Sequence, residues 1–189
     1  MRPREFEPED VLDRGMRVLW ARGYEATSLE ELLEAMDLSK SSFYETFGSK
    51  HDFMLAALER YINVVLGQLG KDLHKGSARE AIFRTFDCMI PTRDAPANGC
   101  FMQNCTIELA QHDPEAREKV RQGLKRLEEG YSRAVLRGQE SGEIAGKRDA
   151  RALAQYLVSS LNGIVVLSRA GFERKKLLKI AEVTLDALK

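Results

Sequence analysis

The sequence predicts an all-α protein of about nine helices, with a small N-terminal head and a larger helical body. Apolar residues recur at intervals of three and four along most of the chain, which is the period of an amphipathic helix. Ser, Thr, Asp, Pro and Gly occur at the ends of these segments, where they favour helix starts and stops. The sequence shows no alternation of period two, which is typical of strands.

The first two helices have distinct start and end signals. Pro8 fits the first turn of a helix, and the apolar stripe that follows it ends at Gly23, a residue that favours helix C-termini. The second helix is predicted to begin after Thr27 as its N-cap, with Glu30 three residues on completing a capping box.

A tight turn and a cap define the third helix. Residues 36–38 form the turn, after which Ser39 is predicted to accept a hydrogen bond from the amide of Ser42. Phe43 and Phe47 lie one turn apart on the inner face of this helix. Two short helices joined in this way form a helix-turn-helix, and they need the first helix to bury their apolar residues.

Six further helices are predicted in the rest of the chain. The first begins with a capping box of Ser49 and Asp52 and runs to about Gly70. The last two, separated by residues 170–171, are predicted to pair as an antiparallel hairpin. The five ranges after the first are Ser77 to Ile90, Cys100 to Ala110, Asp113 to about Gln139, Asp149 to about Arg169, and Glu173 to Leu188. The predicted domains are a head at residues 1–48 and a body at residues 49–189.

Composition favours a cytoplasmic protein without a disulfide framework. The chain has 29 basic and 29 acidic residues, so its net charge indicates no particular partner. Its three cysteines form no C-x-x-C pair of the metal-binding type. No apolar run reaches the roughly 18 residues that a membrane span needs, and the N-terminus lacks a signal-peptide core.

The sequence lacks motifs for catalysis and for metal or cofactor binding. It contains no Ser/His/Asp set, no Glu-x-x-His motif and no phosphate-binding loop. His51, His74 and His112 share no metal-ligand spacing. We therefore expect neither an enzyme nor a metal site nor a cofactor.

About a dozen residues of several chemical types form one dense pattern around the helix-turn-helix. They are Gly23, Tyr24, Ala26, Thr27, Ser28, Leu29, Leu38, Ser39, Lys40, Phe43, Tyr44, Phe47, Ser49 and Lys50. At this spacing the N-terminal third of the chain resembles the TetR/AcrR family of transcriptional regulators. The resemblance implies a three-helix DNA-binding head, a ligand-binding body and a dimer formed through the last two helices. It implies a repressor that binds a near-palindromic operator as a homodimer and leaves it when a small molecule binds.

The resemblance and the helical geometry together predict the DNA-contacting residues. On the third helix, Lys40 can donate to guanine and Glu45 can accept from cytosine. Tyr44 and Lys50 match positions that contact phosphates in the family. The complete predicted set is Thr27, Ser28, Ser39, Lys40, Ser41, Ser42, Tyr44, Glu45 and Lys50.

Two features depart from the family pattern. The turn has Asp37 where the family usually has Gly, although Asp can adopt the left-handed conformation. Residues 1–52 carry seven basic and twelve acidic side chains, whereas a DNA-binding head is usually basic. We therefore expect weak nonspecific DNA binding, with Arg2 and Arg4 as a candidate arm in the minor groove.

The ligand site is predicted from apolar residues with a few polar companions, for which ordinary core packing is the alternative. Its predicted lining is Tyr61, Phe86, Met89, Phe101, Met102, Asn104, Cys105 and Glu108. The resemblance also suggests a thiol sensor at Cys100 or Cys105, because some relatives sense electrophiles or oxidants with a cysteine in this region. The alternative is that both are small buried hydrophobic residues. The predicted dimer interface consists of Leu157, Leu161, Ile164, Leu178 and Leu185.

Two functions from different classes follow. The leading prediction is a ligand-responsive repressor that binds double-stranded operator DNA as a homodimer. The rival is a dimeric helical ligand-binding or interaction protein that has kept the head but lost its DNA affinity, and the acidic head favours this rival.

Overall fold

The computed structural model describes residues 8–92 and 98–189, and the regular secondary structure in these ranges is helical throughout. Arg2 and Arg4 of the candidate arm and residues 93–97 of the predicted loop lie outside the described ranges. The α-helices are α1 Pro8–Arg22, α2 Leu29–Met36, α3 Lys40–Phe47, α4 Lys50–Tyr61, α5 Gly67–Leu73, α6 Ala78–Met89, α7 Phe101–Glu108, α8 Pro114–Glu140, α9 Ala150–Arg169 and α10 Arg174–Asp186.

One predicted helix contains a deviation that the sequence did not indicate. A π-helical segment, Ile62–Leu66, joins α4 to α5 without interruption. Counted as one continuous helix, this stretch brings the number of helices in the described ranges to nine, as predicted. A π turn changes the backbone hydrogen bonding over only a few residues, and the spacing of apolar side chains does not reveal it.

The chain packs into two compact units. One comprises Met1–Ile62 and Phe101–Val120, and the other comprises Asn63–Cys100 and Arg121–Lys189. The first unit thus contains α1 to α4, α7 and the start of α8, whereas the second contains α5, α6, α9, α10 and the rest of α8. The domain boundary after residue 48 stays a prediction, because packing units need not coincide with domains.

The core of the first unit is built around α4, which α1, α3 and α7 contact. Phe43, Phe47 and Phe53 form an aromatic cluster with ring centroids 5.0 to 5.6 Å apart. A Cβ on Gly15 would lie 2.7 Å from the Met36 sulfur and would overlap the Phe53 ring. Only glycine permits this close packing of α1 against its neighbours.

In the second unit α6 contacts α5, α9 and α10, and α9 packs against α10. The pairing of the last two helices confirms that part of the predicted fold. Tyr131 on α8 is fully buried, and its hydroxyl lies 2.7 Å from Thr85 Oγ1. Burial raises the pKa of Tyr131 although this hydrogen bond opposes the shift, so the phenol stays neutral.

Within the described ranges, α9 is long and apolar enough to cross a membrane by length and composition. Arg151, Gln155 and Asn162 interrupt this helix, so it contains no uninterrupted apolar run of about 18 residues, in agreement with the sequence-based expectation. The criterion is weak, because the core helix of a globular protein satisfies it too. The face of α9 that includes Leu157 and Ile164 is buried, as in such a core helix.

Candidate DNA-binding site

The capping box of α2 lies one residue later than predicted. The Ser28 hydroxyl accepts a hydrogen bond from the amide of Glu31 at 3.2 Å, and the Glu31 carboxylate accepts from the amide of Ser28 at 2.8 Å. Ser28 is therefore the N-cap in place of Thr27, and Glu31 replaces Glu30 as its partner. The sequence contains two pairs with the same spacing of three residues, so spacing alone could not choose between them.

Thr27 is a structural residue of the α1–α2 loop. Only 1% of it is exposed, and its hydroxyl donates to the carbonyl of Gly23 at 2.6 Å, so its side chain is occupied within the loop. A phosphate contact through its backbone amide stays a prediction. Thr27 and Ser28 belong to the predicted DNA-contacting set because amides at a helix N-terminus can bind a phosphate. The Ser28 amide already donates to Glu31, which would compete with a phosphate. The first-turn amides without an intrahelical partner are those of Leu29 and Glu30.

The turn between α2 and α3 depends on one left-handed residue. Asp37 has φ 54° and ψ 43°, and it is the only non-glycine residue with a positive φ in the described ranges. Its amide donates to the carbonyls of Leu33 and Glu34, which ends α2. Asp37 thus adopts the conformation that the sequence predicted for it.

A cluster of serines stands at the N-terminus of α3. Ser39 is the N-cap, as predicted, and its Oγ accepts from the Ser42 amide at 3.1 Å. The same Oγ lies 2.9 Å from the hydroxyls of Ser41 and Ser42. Hydroxyl groups can rotate to donate or accept, so this cluster can pair with a base edge or with a phosphate.

The outer face of α3 carries most of the predicted contacts. Four of them are exposed: Lys40, Ser41, Tyr44 and Glu45. Phe43 beneath them is completely buried against Phe53, which sets the rotation of α3 about its own axis. Thr46 is exposed as well, although the sequence reasoning did not select it, and its hydroxyl donates to the carbonyl of Ser42 at 2.8 Å. A wider arc of the helical wheel would have included Thr46.

Lys50 contacts the α1–α2 loop. Its Nζ donates to the carbonyl of Tyr24 at 2.7 Å and lies 4.3 Å from the centroid of the Tyr24 ring. Burial, followed by the nearby carboxylates, raises the pKa of the Tyr24 phenol. Lys50 therefore ties the start of α4 to this loop. An ammonium group has three donors, so a phosphate contact by Lys50 stays a prediction.

A segment distant in sequence also holds the α1–α2 loop. The Glu108 carboxylate accepts hydrogen bonds from the amides of Tyr24 at 3.0 Å and Glu25 at 2.8 Å. His51 Nε2 lies 2.8 Å from Asp113 Oδ2. Burial raises the pKa of Asp113, but hydrogen bonds from backbone amides and from His51 outweigh it, so the pKa lies below its usual value. These contacts join residues more than sixty positions apart, which local patterns cannot predict.

Several acidic residues of the head are paired with bases. Arg60 contacts Glu9 at 2.9 Å and Asp13 at 3.1 Å, and Arg22 pairs with Glu31. The Arg22–Glu31 pair is exposed and adds little stability. Arg60 and Asp13 are part-buried, and the single charge of Arg60 partly offsets the charges of both Glu9 and Asp13. The sequence of α3 has one basic and one acidic residue, so any phosphate attraction depends on few groups.

The predicted ligand-lining residues divide between the two units. The first unit contains Tyr61, Phe101, Met102, Asn104, Cys105 and Glu108, and the second contains Phe86 and Met89. Tyr61 packs against Trp20 and Phe101, with ring centroids 5.1 and 5.8 Å away. Phe86 packs against Tyr131 at 6.3 Å. This packing favours the core alternative for the aromatic residues, and the ligand role of the set stays a prediction.

The cysteines lie in different surroundings. Cys100 and Cys105 are buried, and a thiol-sensor role for either stays a prediction. Cys88 is exposed, yet partial burial and then the carboxylates of Asp72 and Asp87 raise its pKa, which disfavours the reactive thiolate. Residues 8–92 and 98–189 contain no group of three or more His, Cys, Asp or Glu side chains able to hold a metal ion.

Most of the predicted dimer residues face the interior of their own protomer. Leu157, Leu161, Ile164 and Leu185 are each at most 7% exposed, and Leu178 is half-buried. An outer stripe on the same two helices is exposed instead, formed by Tyr156, Gly163 and Val166 on α9 and by Ile180 and Val183 on α10. The apolar spacing thus identified the inner face of each helix.

A capped α2, a left-handed turn and an α3 with a buried aromatic face and an exposed polar face define a helix-turn-helix DNA-binding protein. Residues 11–57 match the family model for bacterial regulatory proteins of the tetR family. Residues 76–181 match the model for the tetracyclin repressor-like C-terminal domain.

Relatives match along almost the whole chain. The uncharacterized HTH-type transcriptional regulator YezE of Bacillus subtilis (strain 168) is 31% identical over 191 residues, which cover 99% of this chain and 98% of YezE. The HTH-type transcriptional repressor ComR of Escherichia coli (strain K12) is 30% identical over 189 residues, which cover 97% of this chain and 90% of ComR.

Solved structures share the fold. A cysteine mutant of the TetR family transcriptional regulator CifR, complexed with a 26-base-pair double-stranded operator DNA, superposes with a TM-score of 0.86 at 28% identity, with 100% of both chains covered. The chain therefore belongs to the TetR family of bacterial transcriptional regulators, a class without enzymatic activity.

Proposed function

We propose that the protein is a ligand-responsive repressor that binds a near-palindromic operator as a homodimer in the cytoplasm and is released by a small molecule. The observation that carries the proposal is the exposed polar face of α3, on which Lys40 and Tyr44 project above the buried Phe43. A helix presented in this way fits the major groove, where a lysine can donate to guanine O6 and N7. ComR, a named repressor, and CifR, bound to its operator, support the assignment.

Binding of the full chain to the DNA upstream of its own gene tests the proposal. Lys40→Gln removes the base donor and is expected to weaken specific binding by about 1–3 kcal/mol. Lys125→Gln removes the same charge from an exposed position of α8 and serves as the control. Because α3 has a single basic residue, we expect a shallow dependence of affinity on salt. No binding of wild type even at low salt would favour the rival, a dimeric protein without DNA affinity.

The proposed dimer interface is the exposed stripe of α9 and α10. Val166 and Val183 are 47% and 59% exposed in the protomer. A Cβ on Gly163 would meet no atom within 4 Å, so a second subunit can approach α9 closely at this point. A twofold dimer pairs the same surface on both subunits, which would bury these residues together.

The double variant Val166→Asp/Val183→Asp is therefore expected to be monomeric, with helix content unchanged, by light scattering and circular dichroism. Leu136→Asp changes a similarly exposed apolar residue on α8 and should leave the dimer intact. A dimer that persists in the double variant would place the interface elsewhere. Leu161→Asp is a poor test, because it buries a charge inside the protomer.

A further inference from the structure

A groove of about 230 Å³ lies within the second unit, between the helical stretch Leu66–Leu73 and the middle of α8. Its floor is apolar: Leu66, Leu69, Leu73 and Leu127 line it, and none of them is more than 9% exposed. None of the residues that line this groove belongs to the predicted ligand-lining set. The groove is therefore a candidate binding site that is separate from the predicted ligand site.

Glycines keep this groove open. Gly67 and Gly70 lie inside α5, where glycine is less favourable than alanine, and a Cβ on either would meet no atom within 4 Å. On the opposite side, a Cβ on Gly130 would lie 3.3 Å from Leu73 Cδ1. The space above the leucines is thus open to a ligand and not filled by side chains of the protein.

The rim of the groove is positively charged. Arg126 and Arg133 stand two turns apart on α8, with Glu129 between them. The Arg126 guanidinium donates to Asn63 Oδ1 at 2.7 Å, which holds it beside the groove. Asn63 belongs to the π-helical segment, and such segments occur often at functional sites.

The rim keeps a positive charge although it includes one acid, and the second arginine is free to bind a ligand. Glu129 is the single acid beside Arg126 and Arg133 among the residues that line the groove, so the net formal charge of the rim is positive. The Arg133 guanidinium has no hydrogen bond or ion pair with any residue that the structure describes, so its five N–H donors remain available. An apolar floor beside two guanidinium groups matches a ligand with an apolar chain and an anionic head.

We propose that this groove binds a small amphipathic anion of the medium-chain carboxylate class, with its chain over the leucines and its head between Arg126 and Arg133. The volume equals that of about eight waters in the liquid, which suits a ligand of roughly ten non-hydrogen atoms. Octanoate has about this size. The proposal concerns ligand binding alone and stands whether or not the protein binds DNA.

Calorimetric titration of the full chain with octanoate tests the proposal, with octylamine and octan-1-ol as probes of equal chain length. Octanoate is expected to bind at least tenfold more tightly than either probe, and its affinity should fall as salt rises. Arg126→Gln and Arg133→Gln should each weaken octanoate binding about fivefold, because each removes a charged hydrogen-bond donor. Lys125→Gln removes the same charge from α8 outside the groove and should leave binding unchanged.

Filling the groove provides an independent test. Gly70→Phe places a ring in the open space and should abolish octanoate binding. Gly70→Ala also replaces the glycine by a better helix former but adds much less volume, and it should retain binding. Equal affinity for octanoate and octan-1-ol, or wild-type affinity in the double variant Arg126→Gln/Arg133→Gln, would overturn the proposal. If Gly70→Phe does not fold, the arginine variants decide, since they alter no buried side chain.

Discussion

Replacing Glu108 by Ala removes the carboxylate that binds two backbone amides of the α1–α2 loop. These hydrogen bonds, to Tyr24 and Glu25, join α7 to a loop more than eighty residues earlier in the chain. The loop precedes α2 directly, so its position affects where the helix-turn-helix begins. The variant therefore tests whether Glu108 supports the DNA-binding head.

The expected loss of stability follows from the environment of the two bonds. A hydrogen bond to a charged group contributes about 1.5–3 kcal/mol when it is well shielded from water. One of these bonds is part-buried and the other is exposed, so we expect a total loss of about 1–3 kcal/mol. In a protein of this size, each kcal/mol lowers the melting temperature by about 2–4 °C.

Urea unfolding and operator binding measure the effect. Glu108→Gln keeps one acceptor oxygen and should lose about half as much stability as Glu108→Ala. Glu34→Gln changes an exposed charge on α2 and should stay within about 0.5 kcal/mol of wild type. Wild-type stability in Glu108→Ala would refute the argument that this carboxylate holds the loop.

Three further predictions concern Asp37, Gly15 and Asp113 of the first unit, with Gly67 of the second unit as a comparison. Asp37→Gly should be more stable than Asp37→Ala by about 1 kcal/mol in chemical unfolding, because both remove the side chain but only glycine adopts φ 54° without strain; equal stabilities would contradict this. Gly15→Ala should lower stability by about 1–3 kcal/mol because its Cβ overlaps Phe53, whereas Gly67→Ala, in open space, should raise it; a stabilised Gly15→Ala would show that the core can adjust. The pKa of Asp113 is lower in the folded protein than its ordinary value of 3.8, so the ionised carboxylate stabilises the fold at pH values above 3.8. This stability is lost as the pH falls through the lower pKa of the folded state. Asp113→Asn keeps the helix cap and should show a weaker loss of stability in acid, and an unchanged acid profile would rule Asp113 out as the cause.

Local signals in the sequence were sufficient for the fold class and for the helix-turn-helix. Helix caps, apolar periodicity and turn residues act over three or four positions, so they can be read without knowing what packs against them. Ser39 as the cap of α3 and the left-handed Asp37 are examples that the structure confirms. Where two residues offered the same spacing, as at Thr27 and Ser28, the local signal was ambiguous.

The exposed face of α3 was also predictable in outline. Phe43, which is buried, and the half-buried Phe47 lie one turn apart and orient the helix. Lys40, Ser41, Tyr44 and Glu45 then face solvent. The sequence could not show that Lys50 contacts the loop before α2. That contact spans 26 positions, and only the folded chain brings its two ends together.

The sequence by itself determined the helices, their order and the DNA-binding motif, because each of these depends on neighbours along the chain. The tertiary structure decided which face of a helix points inward, since burial depends on every element packed around it. It placed Leu161 inside the protomer and left Val166 and Val183 outside. It also brought Glu108 to the α1–α2 loop and opened the groove beside Arg126, because both arise from segments that are far apart in sequence and close in space.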